Sequence, residues 1–155
     1  MRINTYVTHI NQDGQNILVK ENSINYTNIK LLSSPDKIVQ IMRDVFNLDK
    51  YSEEYVYMIA LNGKCSPIGF FQISHGTVNT SLLQPREVLI KALLIGAAGL
   101  IICHNHPSGY PLPSEMDIKV TAKLKEACEL IGIILYDHII IGGNTYLSFQ
   151  EAKLL

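Results

Sequence analysis

The chain has 155 residues, 47% hydrophobic and 17% charged, which suits one domain with its own core and excludes a disordered chain. Its net charge is −1, so the charge total gives no pull toward nucleic acid or an anionic membrane. Cys65, Cys103 and Cys128 are scattered without a Cys-x-x-Cys, a pattern of reduced, packed thiols in a cytoplasmic protein rather than a disulfide framework.

Arg2 to Asn16 contain no apolar signal segment. The most apolar run, Ala92 to Cys103, is too short to span a bilayer and is broken by Gly96 and Gly99. Residues 1–30 are polar and Asn-rich. Asp13-Gly14 is a hairpin turn between Tyr6–Ile10 and Ile17–Lys20. We expect a peripheral N-terminal hairpin with a loose connection, packed on the domain or serving as an arm for a partner. The domain proper is expected over residues 31–155.

Ser34-Pro35-Asp36 opens a helix, with Ser34 as cap and Pro35 at the first helical position. Ile38, Ile41, Met42 and Val45 form its apolar face, and it ends near Asn47. Glu54 to Leu61 is a strongly apolar strand, suited to the sheet centre. Asn62-Gly63-Lys64 turns the chain into a second strand over Pro67 to His75, and Gly76 to Gln84 is a polar connector. Pro85 starts a helix that Val88, Leu89, Ala92, Leu93 and Ile95 make apolar on most sides, hence buried. A strand follows over Leu100–His104. The next helix runs from Ser114 to about Ile131 and ends at Gly132. Its inward face is expected to carry Ile118, Thr121, Leu124, Cys128 and Ile131. Ile133 to Ile141 is an Ile-rich strand, and Thr145 to Phe149 pairs back onto it. The order implies an α/β domain: a three-layer α-β-α mixed sheet with helices on both faces.

The chemistry gathers between Cys103 and Asp117. His104 and His106 lie two apart at a strand end, so their side chains point the same way. A Pro/Gly-rich loop returns the chain to Asp117 in the first turn of the next helix. Two imidazoles and a carboxylate are a ligand set for a catalytic zinc with one position left to water. Ser114 and Asp117 also fit a plain capping box.

The order His104-x-His106, seven residues, Ser114, two residues, Asp117 resembles the JAMM motif of the JAB/MPN metallopeptidase family. His104-Asn105-His106-Pro107-Ser108-Gly109, Pro85-Arg86-Glu87 and Asp137-His138-Ile139-Ile140 resemble its bacterial RadC-type branch. The resemblance runs from about Leu31 to the C-terminus. It implies a cytidine-deaminase-like JAB/MPN domain and a zinc-dependent peptidase or isopeptidase. Zn2+ would be held by His104, His106 and Asp117. Glu54 would be the general base, with Glu53 as the alternative, and Ser114 would donate a hydrogen bond to the oxyanion. The substrate would be a protein or peptide. His138 is expected to be a hydrogen-bonded structural residue rather than a ligand. Longer RadC proteins carry a preceding helix-hairpin-helix domain, for which residues 1–30 are too short, so the resemblance lends no direct DNA binding. A DNA-repair accessory or a non-catalytic interaction module on the same fold are the rival readings. A zinc deaminase would need His-x-Glu and Pro-Cys-x-x-Cys, which the sequence lacks.

Overall fold

Alternation along one strand sorts the domain into its layers. In a computed structural model that describes residues 1–76 and 83–155, Glu54–Leu61 forms β3. Tyr57, Ile59 and Leu61 face one core cluster, while Val56, Met58 and Ala60 face another. A period of two with both faces apolar marks a strand covered on both sides. The first face is covered by α1 (Pro35–Asp44), through Ile38, Val39, Ile41 and Met42. The second is covered by α2 (Pro85–Ile95) and α3 (Glu115–Leu130), through Val88, Ala92, Val120, Leu124 and Cys128.

The strands are β1 (Arg2–Ile10), β2 (Asn16–Asn25), β3, β4 (Pro67–Gly76), β5 (Gly99–Asn105), β6 (Ile134–Gly142) and β7 (Thr145–Ser148). They form a seven-stranded sheet in the order β2-β1-β4-β3-β5-β6-β7. β3 is antiparallel to β4 and β5, β5 and β6 are parallel, and β7 pairs antiparallel with β6. The α/β reading and the mixed sheet with helices on both faces therefore hold. The polar connector expected at Gly76–Gln84 falls largely outside the described residues.

Four local expectations need correction. The N-terminal strands are longer than the hairpin signal suggested, and β1 joins the main sheet, parallel to β4 at Thr5–Phe70. Ile3 is fully buried in the α1-side core, and Tyr26 and Ile29 tie the following segment to it. The two strands pair with each other along their whole length, from Arg2–Asn25 to Ile10–Asn16, which the polar sequence hid. On α3, Ile118 and Ile131 are exposed, and Val120 takes an inward place beside Thr121, Leu124 and Cys128. On α2, Leu93 and Leu94 are exposed while Lys91 is buried. Cys65 is also exposed, in the turn that Asn62 closes by accepting from the Lys64 and Ser66 amides. Cys103 and Cys128 are buried as expected.

Candidate metal centre

β5 carries the site to one edge of the α3-side layer. His104 continues the side of Leu100 and Ile102, facing α3, whereas Cys103 faces α1. Beyond Asn105 the chain leaves the sheet, with the His106 amide held by the Ile141 carbonyl at 2.8 Å. The loop then crosses the β6–β7 turn. A Cβ at Gly142 would lie 2.7 Å from Pro111 N and 2.8 Å from Gly109 O and Tyr110 C. Only glycine lets the two backbones approach that closely, and this seats the loop against the sheet.

Ser114 starts α3 with a full capping box. Its hydroxyl accepts from the Asp117 amide at 3.1 Å, and its own amide donates to Asp117 Oδ2 at 2.8 Å. The hydroxyl proton goes to the same Oδ2 at 2.6 Å. Asp117 is thereby turned toward the histidines, with Oδ1 3.5 Å from His104 Nε2 and Oδ2 3.6 Å from His106 Nε2. The cap and the site are one device.

One ligand atom from each of His104, His106 and Asp117 falls within 4.8 Å of the others, a cluster that could hold a metal ion. The imidazole tautomers follow from their partners. His106 Nδ1 lies 2.9 Å from the Tyr110 carbonyl, which can only accept, so Nδ1 carries the proton and Nε2 the lone pair. The Thr121 hydroxyl donates to the Asp117 carbonyl at 2.6 Å, so it accepts from His138 Nδ1, also at 2.6 Å. His138 Nε2 is then an acceptor for His104 Nδ1 at 2.8 Å. That leaves the His104 Nε2 lone pair directed at His106 Nε2, 3.0 Å away. Two imidazole lone pairs and a carboxylate meeting at one point are a donor set for a cation with borderline-soft character. The residues present fit such a metal.

Electrostatics agree with this assignment for His104 and Asp117. Burial pushes His104 down to about 4, against a raising influence from Asp117 and a lowering one from His106. His138 is also held well below the ordinary range, by burial and then by His104. Burial lowers His106 too, but its bonds to Asp117 and Tyr110 outweigh that and its pKa ends raised. Burial would raise Asp117, yet His106, His104 and Ser114 together hold it well below the usual carboxylate range. Near neutral pH His104 is therefore an unprotonated imidazole and Asp117 a carboxylate, the forms that bind metal.

A pH dependence of stability follows for the chelator-treated protein. The folded His104 resists a proton until about pH 4, whereas an unfolded histidine takes it near 6.5. Between those values the unfolded state binds more protons, so stability is complete above 6.5 and is lost as pH falls toward 4. The shift is worth roughly 3 kcal/mol; His138 acts in the same direction, and His106, whose pKa is raised, acts against it. Urea midpoints measured at pH 7.5 and 4.5 should differ accordingly.

Glu54 and Glu53 part company at the start of β3. Glu53 is exposed and 3.4 Å from His75 Nδ1, whose ring stacks on Tyr55. Glu54 is half-buried, and its pKa is raised, first by burial and then by Asp117, with His106 opposing. It thus feels the charges of the metal cluster. His138, 1% exposed, is the hydrogen-bonded structural residue expected, whereas Thr121, also 1% exposed, is a site residue that spacing did not single out. Thr121 sits one turn after Asp117 on α3, and that i+4 relation was the available signal. Thr121→Val should keep the fold and weaken metal binding about 10–100-fold by releasing the His138–His104 chain; calorimetric titration with Zn2+ measures it.

The model of the RadC-like JAB domain matches residues 32–154. The chain belongs to this family. A UPF0758 protein of Clostridium acetobutylicum is 41% identical over 124 residues, 80% of this chain and 53% of that protein. One from Pelobacter propionicus is 41% identical over 128 residues, 83% of this chain and 55% of that protein. One from Clostridium perfringens is 40% identical over 124 residues, 80% and 54%. The chain spans about half the length of the curated relatives it matches. The RadC-like JAB domain here begins just before α1 and includes the whole His104–Asp117 cluster. β1 and β2 lie outside the matched residues, although both are strands of the sheet. Among the described residues, no helix is long and apolar enough to cross a membrane.

Proposed function

We propose that this chain is a zinc-dependent amide hydrolase of the JAMM type, acting on peptide or isopeptide bonds of a protein or peptide substrate in the cytoplasm. The observation that carries the reading is the meeting of His104 Nε2, His106 Nε2 and an Asp117 oxygen, with both imidazole Nδ1 atoms tied to other partners. His104, His106 and Asp117 would hold the ion. When bound, a zinc ion would supply a water whose pKa is lowered from about 16 to about 7 and a Lewis acid for the substrate carbonyl.

The chain's own groups divide the remaining work. Glu54 accepts the proton of the attacking water and passes it to the leaving amine, a task suited to a carboxylate whose pKa burial has raised. Ser114 gives a hydrogen bond to the oxyanion by rotating its hydroxyl away from Asp117 Oδ2. The Ser114 amide keeps its bond to that oxygen and holds Asp117 in place. The N-terminus of α3 adds positive potential at the same spot.

The test is to incubate zinc-loaded protein with peptides from a digested proteome and to identify new amino termini by mass spectrometry. Cleavage that disappears on chelation and returns with Zn2+ is the expected result. Cleavage unaffected by chelation, or none from a protein with one zinc per chain, would overturn the reading.

A further inference from the structure

Asn105 sits between the two histidines but points away from them. It is 2% exposed. Its Oδ1 accepts from the Tyr55 amide at 2.7 Å, and its Nδ2 donates to the Glu53 carbonyl at 2.9 Å and to the Tyr51 carbonyl at 3.4 Å. The side chain therefore grips the peptide units on both sides of Glu54.

The grip falls where the sheet gives out. The last β3–β5 pair is Val56–His104. Glu54 lies two residues further out, paired on its other side with Gly76 of β4. On the β5 side the Asn105 amide takes the place of a backbone partner, offering one acceptor and one donor as a strand would. Three consecutive residues of β5 and its exit thus serve two ends of the site. His104 and His106 face the metal position, and Asn105 fixes the backbone of Glu54.

We propose that Asn105 is the positioning residue for Glu54, setting the carboxylate against the His104–His106–Asp117 cluster. The proposal rests on the reading of Glu54 as the base. Misplacing a reacting group by about 1 Å can cost ~100-fold in rate, so a side chain that never meets substrate can govern turnover here.

The test uses the full chain as Asn105→Ala and as the isosteric Asn105→Asp, which keeps the acceptor for Tyr55 and loses the donor. Amide exchange at Tyr55, 13C relaxation of the Glu54 side chain and zinc content are read alongside kcat and KM. In Asn105→Ala, Tyr55 exchange should accelerate and the Glu54 side chain should lose order. Zinc should stay at one per chain, and kcat should fall about 10–100-fold with KM little changed. Asn105→Asp should keep Tyr55 protected and still loosen Glu54, and it serves alone should the alanine variant not fold. Unchanged Glu54 order, or full kcat beside a freed Tyr55 amide, would overturn the proposal, as would a lowered melting temperature with both intact. A wild-type protein that cleaves nothing would sink the hydrolase reading alone, since the exchange and relaxation results still decide whether Asn105 holds Glu54.

Discussion

Glu54→Gln should abolish hydrolysis, by about 10²–10⁴-fold in kcat, and leave one zinc per chain in place. The two carboxylates at this corner differ in what they touch. Glu53 is taken up by His75 at the surface, whereas Glu54 is half-buried and under the influence of His106 and Asp117. Glutamine keeps the volume and the hydrogen-bonding capacity but cannot take up a proton at neutral pH. Glu54 is none of the three clustered ligands, so metal content should not follow activity. The acid limb of the wild-type pH–rate profile should also carry its mark. Burial raises its pKa, and the base works only when ionised. Activity should therefore rise with pH through a value above the ordinary glutamate range. Stopped assays on a cleaved peptide from the proteome screen would measure both. A Glu54→Gln protein with full kcat would remove Glu54 from the mechanism.

Replacement of a clustered ligand should have the opposite signature, with metal lost first and activity as a consequence. His106→Ala deletes one of two imidazole donors and should drop zinc from one per chain to a small fraction of that, read by elemental analysis after dialysis. His104→Ala should do the same and also leave His138 without its partner inside the core. Leaving that buried nitrogen unpaired costs on the order of 1–3 kcal/mol. Asp117→Ala removes the third ligand and half of the α3 capping box, a further loss of about 1 kcal/mol. The three variants should thus be equal in zinc content and unequal in stability, with His106→Ala the mildest. Urea unfolding beside the metal assay separates the two effects.

Much of this was legible in the sequence because it was encoded locally. β3 begins and ends at the residues that its apolar run marks, Glu54 and Leu61. The helices begin at Pro35, Pro85 and just after Ser114, where the start signals put them, and of the three Ser114 makes a side-chain cap. His104, His106 and Asp117 could be grouped because strand and helix periodicities bring them round to one point. What escaped depends on neighbours remote in sequence. β1 lengthens because Asn22–Asn25 of β2 pair with Arg2–Thr5, and nothing in Arg2–Thr5 announces that. Ile118 and Ile131 turn outward because α3 presents the stripe through Val120, Leu124 and Cys128 to the sheet. His138 was expected to be a hydrogen-bonded structural residue, and it is one. Its part in fixing His104 is visible only once the parallel pairing of β5 and β6 brings the two rings together. Asn105 likewise reaches Glu53 and Tyr55 across some fifty residues of chain.

Two imidazoles and one carboxylate of this domain should bind zinc and leave it a place for water. X-ray absorption at the zinc edge of the loaded protein tests it most directly. The expected spectrum has two imidazole nitrogens and further oxygen atoms, all at about 2.0–2.2 Å, with no sulfur. A sulfur shell near 2.3 Å, or a shell without imidazole, would contradict it.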